Sequence, residues 1–216
     1  MVINLKGKKV LITSGATWVA IDKVRVISNI ATGETGIILA KKLRQCGCGV
    51  TLLLGPGSKV VLDDKIEVKR FSFFSELNAL LKKELKKNYD IVIQSAAISD
   101  FAPKVFCSRK ISSTRNKIKL ELKPTVKIIN GLRKSKPNAF LVGFKFEPDA
   151  KAGWLIKKTR DLIKSANLDL AVGNSLIDKQ YRAYLVNKAG VLGPFLSKAA
   201  MVKNLTRLMA REYAKK

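Results

Sequence analysis

Six short apolar runs, residues 10–13, 50–54, 66–70, 91–95, 141–146 and 168–173, alternate along the chain with stretches of helical period. The runs are rich in β-branched residues or leucine and read as buried strands. The helical stretches cover residues 36–46, 75–87, 126–135 and 151–167, some with Ser or Thr near the cap position. Strands alternating with helices close as parallel neighbours with the helices packed over them. The pattern therefore predicts an α/β, Rossmann-like, mostly parallel sheet with helices on both faces.

Two segments depart from that alternation. Residues 184–186 followed by Asn187-Lys-Ala-Gly190 read as a strand entering a hairpin turn, and Ser197 is placed to cap a last helix ending near Lys215. Lys117-Ile-Lys-Leu-Glu-Leu122 alternates polar and apolar residues after the polar stretch 108–116, the pattern of an antiparallel ribbon standing off the sheet. There is no internal repeat and no linker rich in Pro, Gly and Ser, so residues 1–216 are expected to form a single domain. At 47% hydrophobic residues, a chain of this length can bury a sizeable core.

Histidine is absent, which removes Ser-His-Asp, Cys-His and histidine-metal mechanisms together. Chemistry must then rest on lysine, arginine, carboxylates, amides or a cofactor. Cys46, Cys48 and Cys107 are too few for a disulfide framework, and a Cys-x-Cys pair without histidine is a poor metal site. They read as free structural thiols. The balance of 42 basic to 16 acidic residues, a net charge of +26, favours anionic ligands. The lysines are dispersed, however, and Lys82, Lys83, Lys86 and Lys87 recur at the spacing of a solvated helix face. No aromatic series is interleaved for base stacking, and a small polyanionic substrate explains the charge as well as a nucleic acid does. No apolar run is long enough to cross a bilayer, and Met1-Val-Ile-Asn-Leu-Lys-Gly-Lys-Lys9 leads into a strand rather than a signal-peptide core. The expected location is the cytoplasm, away from membranes.

In an open α/β sheet, ligands bind outside the carboxyl ends of the strands, and three loops at such positions stand out. The first, Thr13-Ser-Gly-Ala-Thr17, has Gly15 for a tight turn among hydroxyl donors, and it suits a phosphate or an ordinary turn equally. The second, Arg25-Val-Ile-Ser-Asn-Ile-Ala-Thr-Gly-Glu-Thr-Gly36, leads into the helix Ile37-Ile-Leu-Ala-Lys-Lys-Leu43. Free amides, small residues and the positive end of a helix make it a candidate anion site. The alternative is that its glycines serve helix packing alone. It is neither the dinucleotide fingerprint, whose glycines follow the first strand directly, nor a Walker loop, which ends in Gly-Lys-Ser/Thr. The third, Ala96-Ala-Ile-Ser-Asp-Phe-Ala-Pro103, places Asp100 just past a strand end, where a carboxylate can help hold a magnesium ion on phosphates or can serve a turn.

Taken together, these loops resemble phosphopantothenate-cysteine ligase, also called phosphopantothenoylcysteine synthetase, usually found in bacteria fused behind a flavin-dependent decarboxylase. The resemblance covers nearly the whole chain. It is carried by Lys9-Val-Leu-Ile-Thr-Ser-Gly-Ala-Thr17, Ile21-Asp-Lys-Val-Arg25, Ile27-Ser-Asn-Ile-Ala-Thr-Gly-Glu-Thr-Gly36 and Ser95-Ala-Ala-Ile-Ser-Asp-Phe101. Lys110-Ile111, Val142-Gly-Phe144 with Glu147, and Leu168-Asp-Leu-Ala-Val-Gly-Asn174 complete it.

The resemblance implies a reaction in two steps. A nucleoside triphosphate, CTP in most bacterial members and ATP in eukaryotic ones, activates the carboxylate of 4′-phosphopantothenate as an acyl nucleotidylate with loss of pyrophosphate. The amino group of cysteine then attacks, giving the amide and the nucleoside monophosphate. Such chemistry needs positioning and charge stabilisation from the protein and no histidine. By the resemblance, Asn29 holds the acyl group of the intermediate, Arg25 lies on the pantothenate side and Lys110, on a mobile flap, meets the departing pyrophosphate. Nucleotide binding falls to Gly15, Ala97, Asp100, Phe101, Lys110 and Phe144, with magnesium (Mg2+) at Asp100. Ser28, Asn29, Thr32 and Gly33 are the candidates for phosphate and substrate. The ribbon is implied to pair two copies into a homodimer, and a separate phosphopantothenoylcysteine decarboxylase is a possible partner. No flavin is assigned to this chain.

The chain departs from the family pattern at several places. Thr17-Trp-Val-Ala-Ile-Asp22 replaces Thr-Arg-Glu-Pro-Ile-Asp, and Lys110-Ile-Ser-Ser113 replaces a lysine-rich Lys-Ile-Lys-Lys flap, removing positive charge beside the triphosphate. Lys123-Pro-Thr125 replaces Asn-Pro-Asp, and Gly143-Phe-Lys-Phe-Glu147 is bulkier than Gly-Phe-Ala-Ala-Glu, both of which bear on base or substrate preference. The competing readings are an NAD(P)-dependent short-chain reductase, for which Tyr184 and Lys188 have the Tyr-x-x-x-Lys spacing but on a predicted strand and turn, and a basic nucleic-acid-binding module.

Overall fold

The computed structural model describes residues 5–58, 64–114 and 116–215. Of the stretches singled out above, Met1 to Asn4, Arg115 and Lys216 lie outside these residues. The chain opens with β1 (Lys9–Ser14) and a small hairpin of β2 (Trp18–Ala20) and β3 (Val26–Ser28). Then come α1 (Glu34–Gln45), β4 (Gly49–Leu54), β5 (Ile66–Arg70), α2 (Phe74–Glu84) and β6 (Ile91–Gln94). A two-stranded ribbon of β7 (Phe101–Pro103) and β8 (Leu122–Pro124) precedes α3 (Ile128–Ser135), β9 (Phe140–Phe146) and α4 (Ala152–Ala166). The chain finishes with β10 (Leu170–Ile177), β11 (Gln180–Asn187), β12 (Gly190–Phe195) and α5 (Lys198–Tyr213).

The main sheet has eight strands in the order β12-β11-β10-β9-β6-β1-β4-β5. It is parallel from β5 to β10, with β11 and β12 added antiparallel at one edge. All six apolar runs are strands of this sheet, because β-branched residues and leucine fill both of its covered faces. On one face α1 and α5 close a core around Ile12, Leu39, Leu52, Ile93 and Met201. On the other, α2, α3 and α4 cover Leu11, Leu53, Leu77, Val92 and Leu155. Ser197 caps α5 as expected, its Oγ accepting from the Ala200 amide at 3.1 Å. Lys82, Lys83, Lys86 and Lys87 are all exposed. Between them Glu84 is buried, bonded to Lys69 Nζ at 2.5 Å and to the Tyr89 hydroxyl at 2.6 Å.

The topology creates the crevice. After β1 the chain moves outward through β4 and β5, then returns to the far side of β1 at β6 and moves outward again through β9. The connections diverge at the carboxyl ends of β1 and β6, where a ligand can enter between loops.

Several elements differ from expectation. α1 starts at Glu34, ahead of Gly36, and β10 runs on to Ile177 because it pairs with β11 beyond the end of β9. The hairpin β2–β3 has strands of three residues each, too short to show a period. The expected ribbon exists, but its ladder joins Phe101–Pro103 to Leu122–Pro124. One further bond, from the Lys104 amide to Glu121 O at 2.8 Å, extends it, while residues 117–120 have no backbone partner among the described residues and Ile118 and Leu120 remain 47% and 43% exposed.

Candidate active site

At the crevice, the start of α1 is pressed onto the end of β1. Gly33 occupies the N-cap with φ 81°, a left-handed conformation that disfavours side chains. Its carbonyl accepts a bond from the buried Ser14 hydroxyl at 2.8 Å. A Cβ at Gly36 would fall 2.3 Å from both Cβ and Oγ of Ser14, so this glycine sets the closeness of helix and strand. Gly15, at φ 86°, turns the chain away beside Gly55. No side chain caps α1, and the amides of Glu34, Thr35 and Gly36 have no acceptor among the described residues. Three free N–H groups at the positive end of a 12-residue helix form a ready site for an anion. Gly33 and Gly36 thus serve the packing of helix on strand, and the same arrangement leaves the helix end open.

Ala97 joins the three loops. Its amide donates to Gly15 O at 2.9 Å, and its carbonyl accepts from the Thr17 amide at 3.3 Å and from Asn29 Nδ2 at 3.1 Å. Asn29 is thereby held to the third loop, with the second N–H of its side-chain amide and its Oδ1 unpaired among the described residues. Ser28, also exposed, donates its hydroxyl to Asn29 O. A set of buried hydroxyls fixes the third loop. Ser99 N donates to Thr17 Oγ1 at 2.9 Å, Ser99 Oγ to Thr17 O at 3.0 Å, and Thr125 Oγ1 to Ser99 O at 2.6 Å. The Thr125 amide bonds to Asp100 O at 2.9 Å. Asp100 is exposed, and its carboxylate has no partner among the described residues. A single free carboxylate suits magnesium, which keeps most of its shell as water.

Arg25 is turned inward. Its Nη1 meets Asp22 Oδ2 at 2.8 Å and donates to Ile111 O at 3.0 Å. Asp22 is almost fully buried and takes four bonds, the others coming from the amides of Val24, Arg25 and Ile111. Burial alone pushes the Asp22 carboxyl upward; the amides of Ile111, Val24 and Arg25, with the Arg25 guanidinium, outweigh it and hold the group at about 2. It is ionised throughout the range in which enzymes work. Lys110 is exposed next to this anchor.

The structure thus gathers Gly15, Asn29, Gly33, Ala97 and Asp100 around one crevice, with Ser28 at its rim. Arg25 connects that group to the Lys110 segment. Phe144 packs on the core under α1 and α5 near the carboxyl end of β9. Phe101 lies on β7 opposite Pro124 and is 54% exposed. Thr32 is exposed beside Gly57. At the end of β9, Lys145 pairs with Glu147 at 2.8 Å, so the added lysine is matched within its own strand end. Asp22, Ser99 and Thr125 lie inside motifs quoted from the sequence, which gave none of them a role of its own. The reductase reading falls here: Tyr184 is buried on β11 and Lys188 lies in the following turn, so no helix brings them onto one face.

Comparison with known proteins points the same way. The family model described as the DNA/pantothenate metabolism flavoprotein C-terminal domain matches residues 5–213. The coenzyme A biosynthesis bifunctional protein CoaBC of Thermococcus kodakarensis is 39% identical over 175 residues, covering 80% of this chain and 42% of that protein. Its counterpart in Borreliella burgdorferi is 30% identical over 213 residues, covering 95% and 53%. The chain thus spans about half the length of the curated relatives it matches. Among solved structures, the DNA/pantothenate metabolism flavoprotein of Streptococcus pneumoniae superposes with a TM-score of 0.85 at 27% identity, covering 95% of this chain and 99% of that one. The C-terminal domain of a CoaBC superposes at 0.81 with 23% identity, covering 98% of each chain, and shares the fold.

Proposed function

The chain belongs to the family of the DNA/pantothenate metabolism flavoprotein C-terminal domain, and from that membership we propose that it is a phosphopantothenate-cysteine ligase of coenzyme A synthesis. Its residues act as one ligase domain in the cytoplasm; among the described residues no helix is long and apolar enough to cross a membrane. The observation that carries the reading is the open start of α1 at the sheet's switch point, tied by Ala97 to Asn29 and to the Asp100 loop. It offers an anion site, a neutral amide donor and a free carboxylate at one crevice.

In this reading CTP is the co-substrate, with ATP as the alternative. The amides at the start of α1 take a phosphate group, Asn29 holds the acyl group, and Gly15, Ala97, Asp100, Phe101 and Phe144 surround the nucleotide. Magnesium neutralises phosphate charge beside Asp100 when bound. Lys110 balances the charge that develops on the departing pyrophosphate. Mixing the protein with phosphopantothenate and either CTP or ATP should release pyrophosphate, with one nucleotide clearly preferred, and excess EDTA should stop it. No release with either nucleotide, or full turnover in EDTA, would refute the corresponding part.

The same reading makes the protein a homodimer. Residues 117–120 have strand-like alternation with no backbone partner among the described residues, and the ribbon exposes Phe101, Val105, Phe106, Ile118, Leu120 and Leu122, each at least 43% accessible in the single chain. Unpaired backbone and apolar side chains along one ribbon are what a second copy would cover. Light scattering at micromolar concentration is expected to give twice the monomer mass. A monomer would exclude this assignment.

A further inference from the structure

Lys110 sits in the long connection between β7 and β8, where no helix or strand ladder fixes the backbone. A lysine side chain is a flexible point charge, so its position at a leaving group must come from its neighbours. Among the described residues, three bonds hold this stretch to the body of the protein. Cys107 N donates to Ile21 O at 3.1 Å, Ile111 N to Asp22 Oδ2 at 3.0 Å, and Arg25 Nη1 to Ile111 O at 3.0 Å. Both backbone groups of Ile111 are therefore taken by a single ion pair.

We propose that Asp22, through its pair with Arg25, is the positioning residue that latches the Lys110 segment over the nucleotide site. The proposal rests on the ligase reading above. Burying a carboxylate is costly unless every lone pair finds a donor. Here Asp22 Oδ1 closes the local turn at Val24 and Arg25, whereas Oδ2 reaches across 89 residues of sequence to Ile111. Local turn formation would need only the first oxygen. The second serves a segment that adds no residue to either core among the described residues, and the exposed Arg109 and Lys110 stand just ahead of Ile111. Arg25 also leads directly into β3 and Asn29, so the latch sets the Lys110 segment relative to the strand that carries the acyl-holding amide.

Asp22→Asn separates the two oxygens. The amide keeps an acceptor for Val24 and Arg25 and loses the acceptor for Ile111 along with the charge for Arg25. Pyrophosphate release is expected to fall ~10-fold or more, since misplacing a catalytic group by about 1 Å can cost 10²-fold. In a Lys110→Ala background the same substitution should change the rate by less than about 2-fold, because residues acting through one another are not additive. Hydrogen exchange is followed in parallel, and the Ile111 amide should exchange faster in Asp22→Asn whatever the activity. Equal loss in both backgrounds, no loss at all, or unchanged exchange at Ile111 would overturn the latch. If Asp22→Asn does not fold, Asp22→Glu, which keeps the charge and displaces it by one methylene, is read by the same criteria. Wild-type protein that releases no pyrophosphate would sink the ligase reading and the positioning role with it, while the exchange arm still decides whether the latch itself exists.

Discussion

Lys110→Ala is expected to slow nucleotidylate formation by ~100-fold or more, the scale on which removing one preorganised electrostatic contact acts. The expectation is sharpened by what surrounds the residue. The segment Lys110-Ile-Ser-Ser113 has one lysine where the related flap has several, and its neighbour in sequence, Arg109, carries a planar guanidinium that does not replace a lysine's point charge. Asn29→Ala should behave differently. Asn29 is fixed to Ala97 O through one N–H and presents the other toward the crevice, where it can hold an acyl oxygen without forming an ion pair. Its loss should leave pyrophosphate release largely intact and impair the use of the activated acid, so that intermediate leaks or accumulates. Following pyrophosphate and amide formation separately, with cysteine present and absent, distinguishes the two. Identical losses of both signals in both variants would remove the assignment of these residues to different steps.

The sheet was legible in the chain because its strands are buried on both faces, and a run such as Ile91 to Gln94 has little choice but to be a central strand. The loops beyond the strand ends were legible for a related reason, since glycines and hydroxyls recur where the backbone must turn tightly. Gly33 and Gly15 do hold left-handed conformations there. What remained hidden depends on partners distant in sequence. Asp22 is unremarkable until Ile111 is brought beside it, and Thr125 until it meets Ser99. The β2–β3 hairpin has strands too short for any period to appear. Residues 117–120 show the converse: the alternation is present in the sequence, and nothing among the described residues pairs with it. Hydrophobic pattern reports what a segment must bury, not which surface will bury it.

Gly36→Ala should uncouple helix from strand at the anion site. The new Cβ would stand 2.3 Å from Cβ and Oγ of Ser14, and Ser14 Cβ is fixed to the central strand and cannot rotate away. The start of α1 must then lift, breaking the Ser14–Gly33 bond and moving the free amides of the first turn. Overpacking of this kind costs ~1–3 kcal/mol of stability. A helix end contributes up to ~2 kcal/mol to a partly buried anion, so affinity for the phosphate-bearing substrate should fall ~10-fold or more as the amides move. Gly153→Ala is the matched control, since a Cβ there meets nothing within 4 Å and α4 should gain from losing a glycine. Adding Ser14→Gly to Gly36→Ala removes both clashing atoms and should recover most of the melting temperature. Affinity should return with it if close docking, rather than the Ser14 hydroxyl, places the amides. A Gly36→Ala variant as stable as the wild type and unchanged in affinity would mean that α1 can slide on β1 without consequence, and that its first turn is not where the phosphate is held.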